Sequence, residues 1–136
     1  MRIFVDNCLS PVLASTLNGY VAHLGHDAVH IKDMPCGRSA ADVDWMALLR
    51  ATGEEWLVIT GDLRIQKNRP ERYAFKQANL RGIALTPGYQ GFRVHQQISM
   101  LLWRWLDIDE LVLRVGPPYL FEVPTTKNAK FRSLSL

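Results

Sequence analysis

Cysteine is almost missing from this chain: Cys8 and Cys36 are the only two. They lie far apart and fit no metal-ligand spacing. That excludes a disulfide-stapled scaffold and a thiolate zinc motif, and reduced thiols in a cytoplasmic protein are expected. Long apolar runs are also lacking. The greasiest stretch, residues 101–106, contains Arg104, and nothing approaches the roughly 18–20 residues of a membrane span. The N-terminus has no charged leader followed by an apolar segment. Met1 and Arg2 lead directly into Ile3, Phe4 and Val5, so no signal peptide is expected. Repeats, low-complexity tracts and internal linkers are absent as well. One domain is therefore expected over residues 1–136, with its core over about 1–107 and a C-terminal strand pair and basic tail over 108–136.

What is present is a foldable composition, 48% hydrophobic, which rules out disorder. The net charge is +3 and the pI about 9.1, compatible with a polyanionic partner without demanding one. Strand and helix patterns alternate. Residues 2–5 read as a short apolar strand. Ser10 and Pro11 open a helix, as N-cap and first helical residue, and Gly25 ends it. Residues 28–31 read as a second strand and 32–39 as a loop. The spacing from Ser39 to Asp42 resembles a capping box for a helix that runs to about Ala51. Residues 56–60 form the clearest buried strand. Pro70 can start a helix ending near Asn79, residues 83–85 a strand, and 93–106 a further helix. Residues 111–113 and 119–123 read as strands, with a last edge strand near Phe131. Short strands separated by helices predict an α/β fold, a three-layer sandwich with a mainly parallel central sheet.

Two acids stand at strand ends. Asp6 follows Ile3, Phe4 and Val5, and Asp62 follows the run through Thr60 and Gly61. Ligands collect outside the carboxyl ends of parallel strands, so the two carboxylates can share a crevice. The bland alternatives are a helix cap for Asp6, which Ser10 already supplies, and a turn aspartate for Asp62. Thr60 suits a hydroxyl that orients a neighbouring carboxylate or phosphate. Asp42 and Asp44 begin the second helix, where acids complement the macrodipole. That helix is apolar nearly all round, so periodicity alone does not choose between them. Converging acids are what a hard divalent cation needs. Mg²⁺ or Mn²⁺ can drive phosphodiester hydrolysis without a nucleophilic side chain.

Three segments carry a resemblance: Asp6-Asn7-Cys8-Leu9-Ser10-Pro11, Asp44-Trp45, and Ile59-Thr60-Gly61-Asp62-Leu63-Arg64-Ile65. Together they resemble the compact PIN-like proteins, small relatives of the PIN-domain nucleases, many of them toxins of type II toxin–antitoxin pairs. The resemblance covers about residues 2–86. It implies a PIN-like fold, Mg²⁺- or Mn²⁺-dependent endoribonuclease activity on RNA, and neutralisation by a small antitoxin. It also implies catalytic and metal-binding roles for Asp6, Asp44 and Asp62, with Asp44 favoured over Asp42 by its spacing to Asp62. Full-size PIN nucleases carry a further acid, commonly Glu, which has no clear counterpart here; Asp33 lies in that stretch but on a loop.

Between Asp62 and Gly82, six cations (Arg64, Lys67, Arg69, Arg72, Lys76 and Arg81) face one acid, Glu71. Such a segment could hold a phosphate backbone or simply be a solvated face. Arg64 and Lys67 are nearest to Asp62 and, with Asn7 and Thr60, are the expected substrate contacts. Tyr73 and Phe75 could stack bases but read as core. His23, His26 and His30 have no pattern that forces convergence on zinc, and Cys8 reads as a small buried hydrophobe. A response-regulator or haloacid-dehalogenase reading would need a second acid beside Asp6, where Asn7 and Cys8 stand. Met100, Trp103 and Trp105 make the fourth helix greasy enough to meet an antitoxin or a second copy of the chain. A non-cleaving RNA- or protein-binding module on the same fold is the alternative.

Overall fold

The computed structural model describes residues 1–136. Its elements are β1 (Arg2–Val5), α1 (Pro11–Val21), β2 (Asp27–His30), α2 (Asp42–Ala51), β3 (Trp56–Thr60), α3 (Arg64–Lys67), α4 (Arg69–Gln77), β4 (Arg81–Leu85), α5 (Val94–Trp103), α6 (Trp105–Arg114), β5 (Tyr119–Val123) and β6 (Arg132–Leu134). The six strands form one sheet in the order β2-β1-β3-β4-β5-β6. The first five run parallel, and β6 closes the far edge antiparallel to β5. Side chains alternate across the strands. Ile3, Val5, Leu57, Ile59, Ile83 and Leu85 pack with residues of α1, α5 and α6. Phe4, Trp56 and Val58 pack on the other side with residues of α2 and α4. The result is the expected three-layer sandwich. On the α2 side the Phe4 and Trp45 rings stack at 4.6 Å, a contact worth about 0.5–1.5 kcal/mol beyond the area buried.

Local chemistry sets the helix starts. Ser10 Oγ accepts the Val12 N–H at 3.1 Å, with Pro11 in the first turn. Asn68 Oδ1 accepts the Glu71 N–H at 3.1 Å and starts α4 at Arg69, one residue ahead of Pro70. The Ser39 capping box does not form: Ala41 is the N-cap of α2 and offers no side-chain bond.

The C-terminal part departs most from expectation. Residues 111–113 lie in α6, not in a strand. A triplet of apolar residues is compatible with either structure, but Trp105, Ile108 and Leu111 recur at helical spacing and face the core, leaving Leu113 86% exposed. The expected helix over 93–106 is two helices that meet at Arg104. This buried guanidinium donates to Asp107 Oδ2 at 2.8 Å, to the Thr126 carbonyl at 2.9 Å and to the Ala129 carbonyl at 2.7 Å. It therefore pins the corner to the C-terminal segment. Trp105 is core and cannot be part of a docking face, whereas Trp103 is exposed, with the Lys127 ammonium 4.1 Å above its ring. Phe75 is core as expected, but Tyr73 is exposed. No helix is long and apolar enough to cross a membrane.

Gly82 marks the tightest approach in the sheet. A β-carbon there would stand 2.7 Å from Leu120 Cδ1 and 2.8 Å from Phe75 Cζ. Gly82→Ala should therefore cost about 1–3 kcal/mol of stability through overpacking. Exposed Gly19, inside α1 with open space around it, should gain about 0.5–1 kcal/mol as Ala. Chemical denaturation of the two variants checks both signs.

Candidate active site

The sheet order reverses between β1 and β3, since β2 lies on one side of β1 and every later strand on the other. Loops leaving the carboxyl ends of two such strands part to opposite faces and open a crevice between them. Asp6 directly follows β1, and Asp62 stands two residues beyond β3. Thr60 joins them. Its fully buried hydroxyl donates to Asp6 Oδ2 at 2.8 Å and accepts the Asp62 N–H at 3.0 Å. Asp6 is further fixed by the Asn7 N–H, which donates to its Oδ1 at 2.7 Å, and by its own N–H on the Ile59 carbonyl at 3.0 Å.

A recess of about 270 Å³ opens here, with Asp6, Asn7, Arg38, Asp42, Asp62 and Arg64 among its lining residues. Larger grooves occur elsewhere, but they lie away from the paired strand ends. The structure brings Asp6 and Asp62 together and adds Asp42. It does not bring Asp44, which is exposed and outside the recess. The reason is the choice of helix face. Trp45, Met46 and Leu49 are the buried residues of α2, and Asp42 shares their face, accepting from Trp45 Nε1 at 2.9 Å. Asp44 sits about 200° around the helix from Asp42. Side-chain bulk held the clue: Trp45, Met46 and Leu49 outweigh Ala47, Leu48 and Ala51.

Two residues emerge only from the structure. Glu71, on α4, lies beside Asp42. Burial raises its carboxyl above the ordinary value, and the charge of Asp42, a hydrogen bond to it and the charge of Asp62 add to the shift. Glu71 Oε2 is buried without a hydrogen-bond partner. In the sequence Glu71 is masked by its capping position three residues after Asn68. Arg38 reaches in from the loop before α2, its Nε donating to Asn7 Oδ1 at 3.1 Å. Lys67 is exposed and does not line the recess. Asp33 is exposed, pairs with Lys32 at 3.1 Å and lies on a separate groove beside α1.

Cys8 is not buried as a residue. Its sulfur nevertheless turns onto the site, accepting the Gly61 N–H at 3.1 Å and lying 3.8 Å from Asp6 Oδ2. Burial of the thiol and the nearby Asp6 charge raise its pKa, so it stays protonated at neutral pH and is no nucleophile. His30 is buried with both ring nitrogens used: Nδ1 accepts the Lys32 N–H at 3.1 Å, and Nε2 donates to the Leu9 carbonyl at 2.8 Å.

The electrostatics divide the acids. Burial pushes the Asp6 carboxyl above its ordinary value, and Asp42 and Asp62 push the same way; the bonds from Thr60 and Asn7 oppose this only in part. Burial would raise Asp62 too, but Arg64 outweighs it and holds that carboxyl below the ordinary range. No three His, Cys, Asp or Glu side chains are arranged as they stand to hold a single metal ion. The donor chemistry does suit a hard cation, being all carboxylate, with the buried Glu71 oxygen orphaned beside mutually repelling acids.

A family model described as a PIN like domain matches residues 1–87. No curated protein and no solved structure matches the chain. The matched segment runs from β1 through β4 and carries Asp6, Asp42, Asp62 and Glu71. The chain belongs to the PIN-like domain family. That is a nuclease-type superfamily whose members are generally hydrolases.

A raised folded-state pKa means that Asp6 favours the folded state below the ordinary carboxylate range. That contribution is lost as pH rises through the raised value. Asp6→Asn removes the effect. The melting-temperature difference, variant minus wild type, should therefore grow more positive from about pH 4 to about pH 8 in a chelator. A flat difference would show that the Asp6 carboxyl carries no such strain.

Proposed function

We propose that the protein is a metal-dependent endoribonuclease that hydrolyses RNA phosphodiester bonds. The observation that carries this reading is one recess at the β1/β3 crossover, lined by Asp6, Asp42 and Asp62 with Arg38 and Arg64 at its walls, and with Glu71 against Asp42. Membership in a nuclease-type family supports it.

In this reading Asp6, Asp42 and Asp62 hold Mg²⁺ or Mn²⁺, and Glu71 supports Asp42. The bound ion would supply Lewis-acid activation of the phosphoryl group and of water, and would stabilise the leaving alkoxide. The chain's own residues do the positioning. Thr60 fixes the Asp6 carboxylate and the backbone before Asp62 with one hydroxyl. Asn7, Arg38 and Arg64 line the recess, and the two guanidiniums are suited to a phosphodiester oxygen. The raised pKa values of Asp6 and Glu71 fit acids that wait for a cation. The exposed members of the basic segment after Asp62 give the surroundings a positive field. The protonated thiol of Cys8 helps hold Gly61 and Asp6 in place.

We extend the proposal to a toxin role with a small antitoxin as partner, on family resemblance, and to self-association. Trp103, Leu106 and Leu113 are exposed apolar residues and support a protein partner. A second reading is a non-cleaving RNA- or protein-binding module. It is favoured by two observations: Arg64 already neutralises Asp62, and no three-ligand set stands assembled.

Cleavage of a labelled single-stranded RNA with Mn²⁺ separates the two readings. Wild type should cut, and Asp6→Asn, Asp42→Asn and Asp62→Asn should each lose at least about 100-fold, since a lost metal ligand removes several kcal/mol of charge stabilisation. Asp44→Asn should stay within about twofold, as expected of an exposed side chain. Metal-dependent RNA binding without cleavage would favour the binding module, and an Asp44 effect equal to that of Asp42 would refute the assignment of the acids.

A further inference from the structure

We infer that Arg64 is the resident counter-ion of the acid recess, and that a divalent cation must displace it from Asp62 before the site is assembled, freeing the guanidinium to take the substrate phosphate. The inference rests on the metal-dependent reading above.

The geometry is one of prior occupation by a cation. A carboxylate has two oxygens with about two acceptor positions each. Asp62 Oδ1 accepts the Arg64 backbone N–H at 2.9 Å and Arg64 Nε at 3.0 Å. Asp62 Oδ2 accepts Nε at 2.9 Å and Nη2 at 2.7 Å. Three N–H groups of one residue thus engage both oxygens, the single Nε hydrogen being shared between them, so a cation meets each oxygen already held. Asp6 differs: its two oxygens accept from Asn7 and Thr60, with the Cys8 thiol a more distant third, and no cation pairs with it. Asp62 is therefore the acid already held by a positive charge.

The closure is reversible by construction. The Arg64 side chain is 80% exposed, while that of Asp62 is 16% exposed. The guanidinium stands in solvent, where an ion pair is weakly held and easily opened. Its stem rises from α3, a single turn packed through buried Ile65, so the side chain can swing without moving the fold. A divalent ion brings twice the charge to the same oxygens. Once released, Arg64 remains on the wall of the recess that also holds Asp6 and Asp42. There it can exchange a carboxylate for a phosphodiester oxygen, with the same two-pronged geometry. The arginine thus covers the acid when metal is absent and positions substrate when metal is present.

The test is Mn²⁺ binding, measured by calorimetry on the full chain, in wild type, Arg64→Gln, Arg64→Lys and Arg69→Gln. Arg69 is an exposed cation outside the recess, so its variant makes the same charge change without touching an acid. Arg64→Gln should bind Mn²⁺ about three- to fivefold more tightly, the scale of an opened surface ion pair. Arg64→Lys should fall between it and wild type, and Arg69→Gln should match wild type. In the same Arg64→Gln variant, affinity for a single-stranded oligonucleotide should fall, and its salt dependence should flatten by about one unit of slope. Equal or weaker Mn²⁺ binding by Arg64→Gln would overturn the inference while leaving the metal site intact. Equal tightening by Arg69→Gln would reduce it to bulk charge and overturn it too. No Mn²⁺ binding by wild type or by Arg64→Gln would overturn both this inference and the metal-dependent reading beneath it.

Discussion

The Thr60 hydroxyl holds the site together. It lies at the end of the most buried strand, donates its proton to Asp6 Oδ2 and receives the N–H of Asp62. A hydroxyl has one proton to give and two lone pairs to offer. Spending the proton on Asp6 sets that carboxylate, and one lone pair on Asp62 sets the turn that follows β3. The two strand ends are thus coupled through a single oxygen with no exposed surface. The register beneath it is just as fixed, because β1 pairs with β3 from Arg2 opposite Trp56 to Val5 opposite Ile59. A slip by one residue would exchange the two faces of the sheet and remove Asp6 from Thr60.

Carboxylates gathered at a switch point repel one another, and the fold handles the repulsion unevenly. Asp62 is neutralised by an arginine two residues along the chain. Asp6 is solvated by two short hydrogen bonds instead of water. Glu71 meets the charge of Asp42 with a carboxyl raised above its ordinary value. These are three physical solutions to one problem, and only the first involves a cation. The cations of the following segment do not supply the rest. Lys67, Arg69 and Lys76 are exposed, and Lys76 turns toward the chain terminus, its ammonium 3.4 Å from the Leu136 carbonyl. The positive charge near the acids is a field around the site more than a set of partners within it.

The sheet and its layers were legible in the sequence because strands buried on both faces read as continuous apolar runs between helices. Asp6 and Asp62 were legible for the same reason, since a charge at the end of such a run has to stand beyond the strand's carboxyl end. Asp42 against Asp44 was not decided by periodicity, because α2 carries apolar residues on most of its circumference. Side-chain size settled the face, and Trp45 carried it. Glu71 could not be read as part of the site: its contact with Asp42 depends on how α4 packs against α2, a relation between two helices that no local pattern encodes. The 111–113 triplet failed for the opposite reason. Its local signal was strong but ambiguous, and only the spacing back to Trp105 and Ile108 resolves it as helix. The split of the 93–106 helix at Arg104 is likewise a tertiary event, set by carbonyls more than twenty residues downstream.

The family match ends at residue 87, and nothing after it lines the recess. β5 pairs with β4 along its whole length and lays Leu120 against the position of Gly82, where a side chain has no room. β6 then ends the sheet antiparallel, so the far edge is a short strand of mixed polarity and not a long open one. α5 and α6 add Leu101, Trp105 and Ile108 to the core that also buries Ile3, Val5 and Ile59. Those three lie just behind Asp6 and Thr60. The last third of the chain therefore supports the site from beneath: it fixes the strands whose ends carry the acids, while leaving the recess itself to the matched segment.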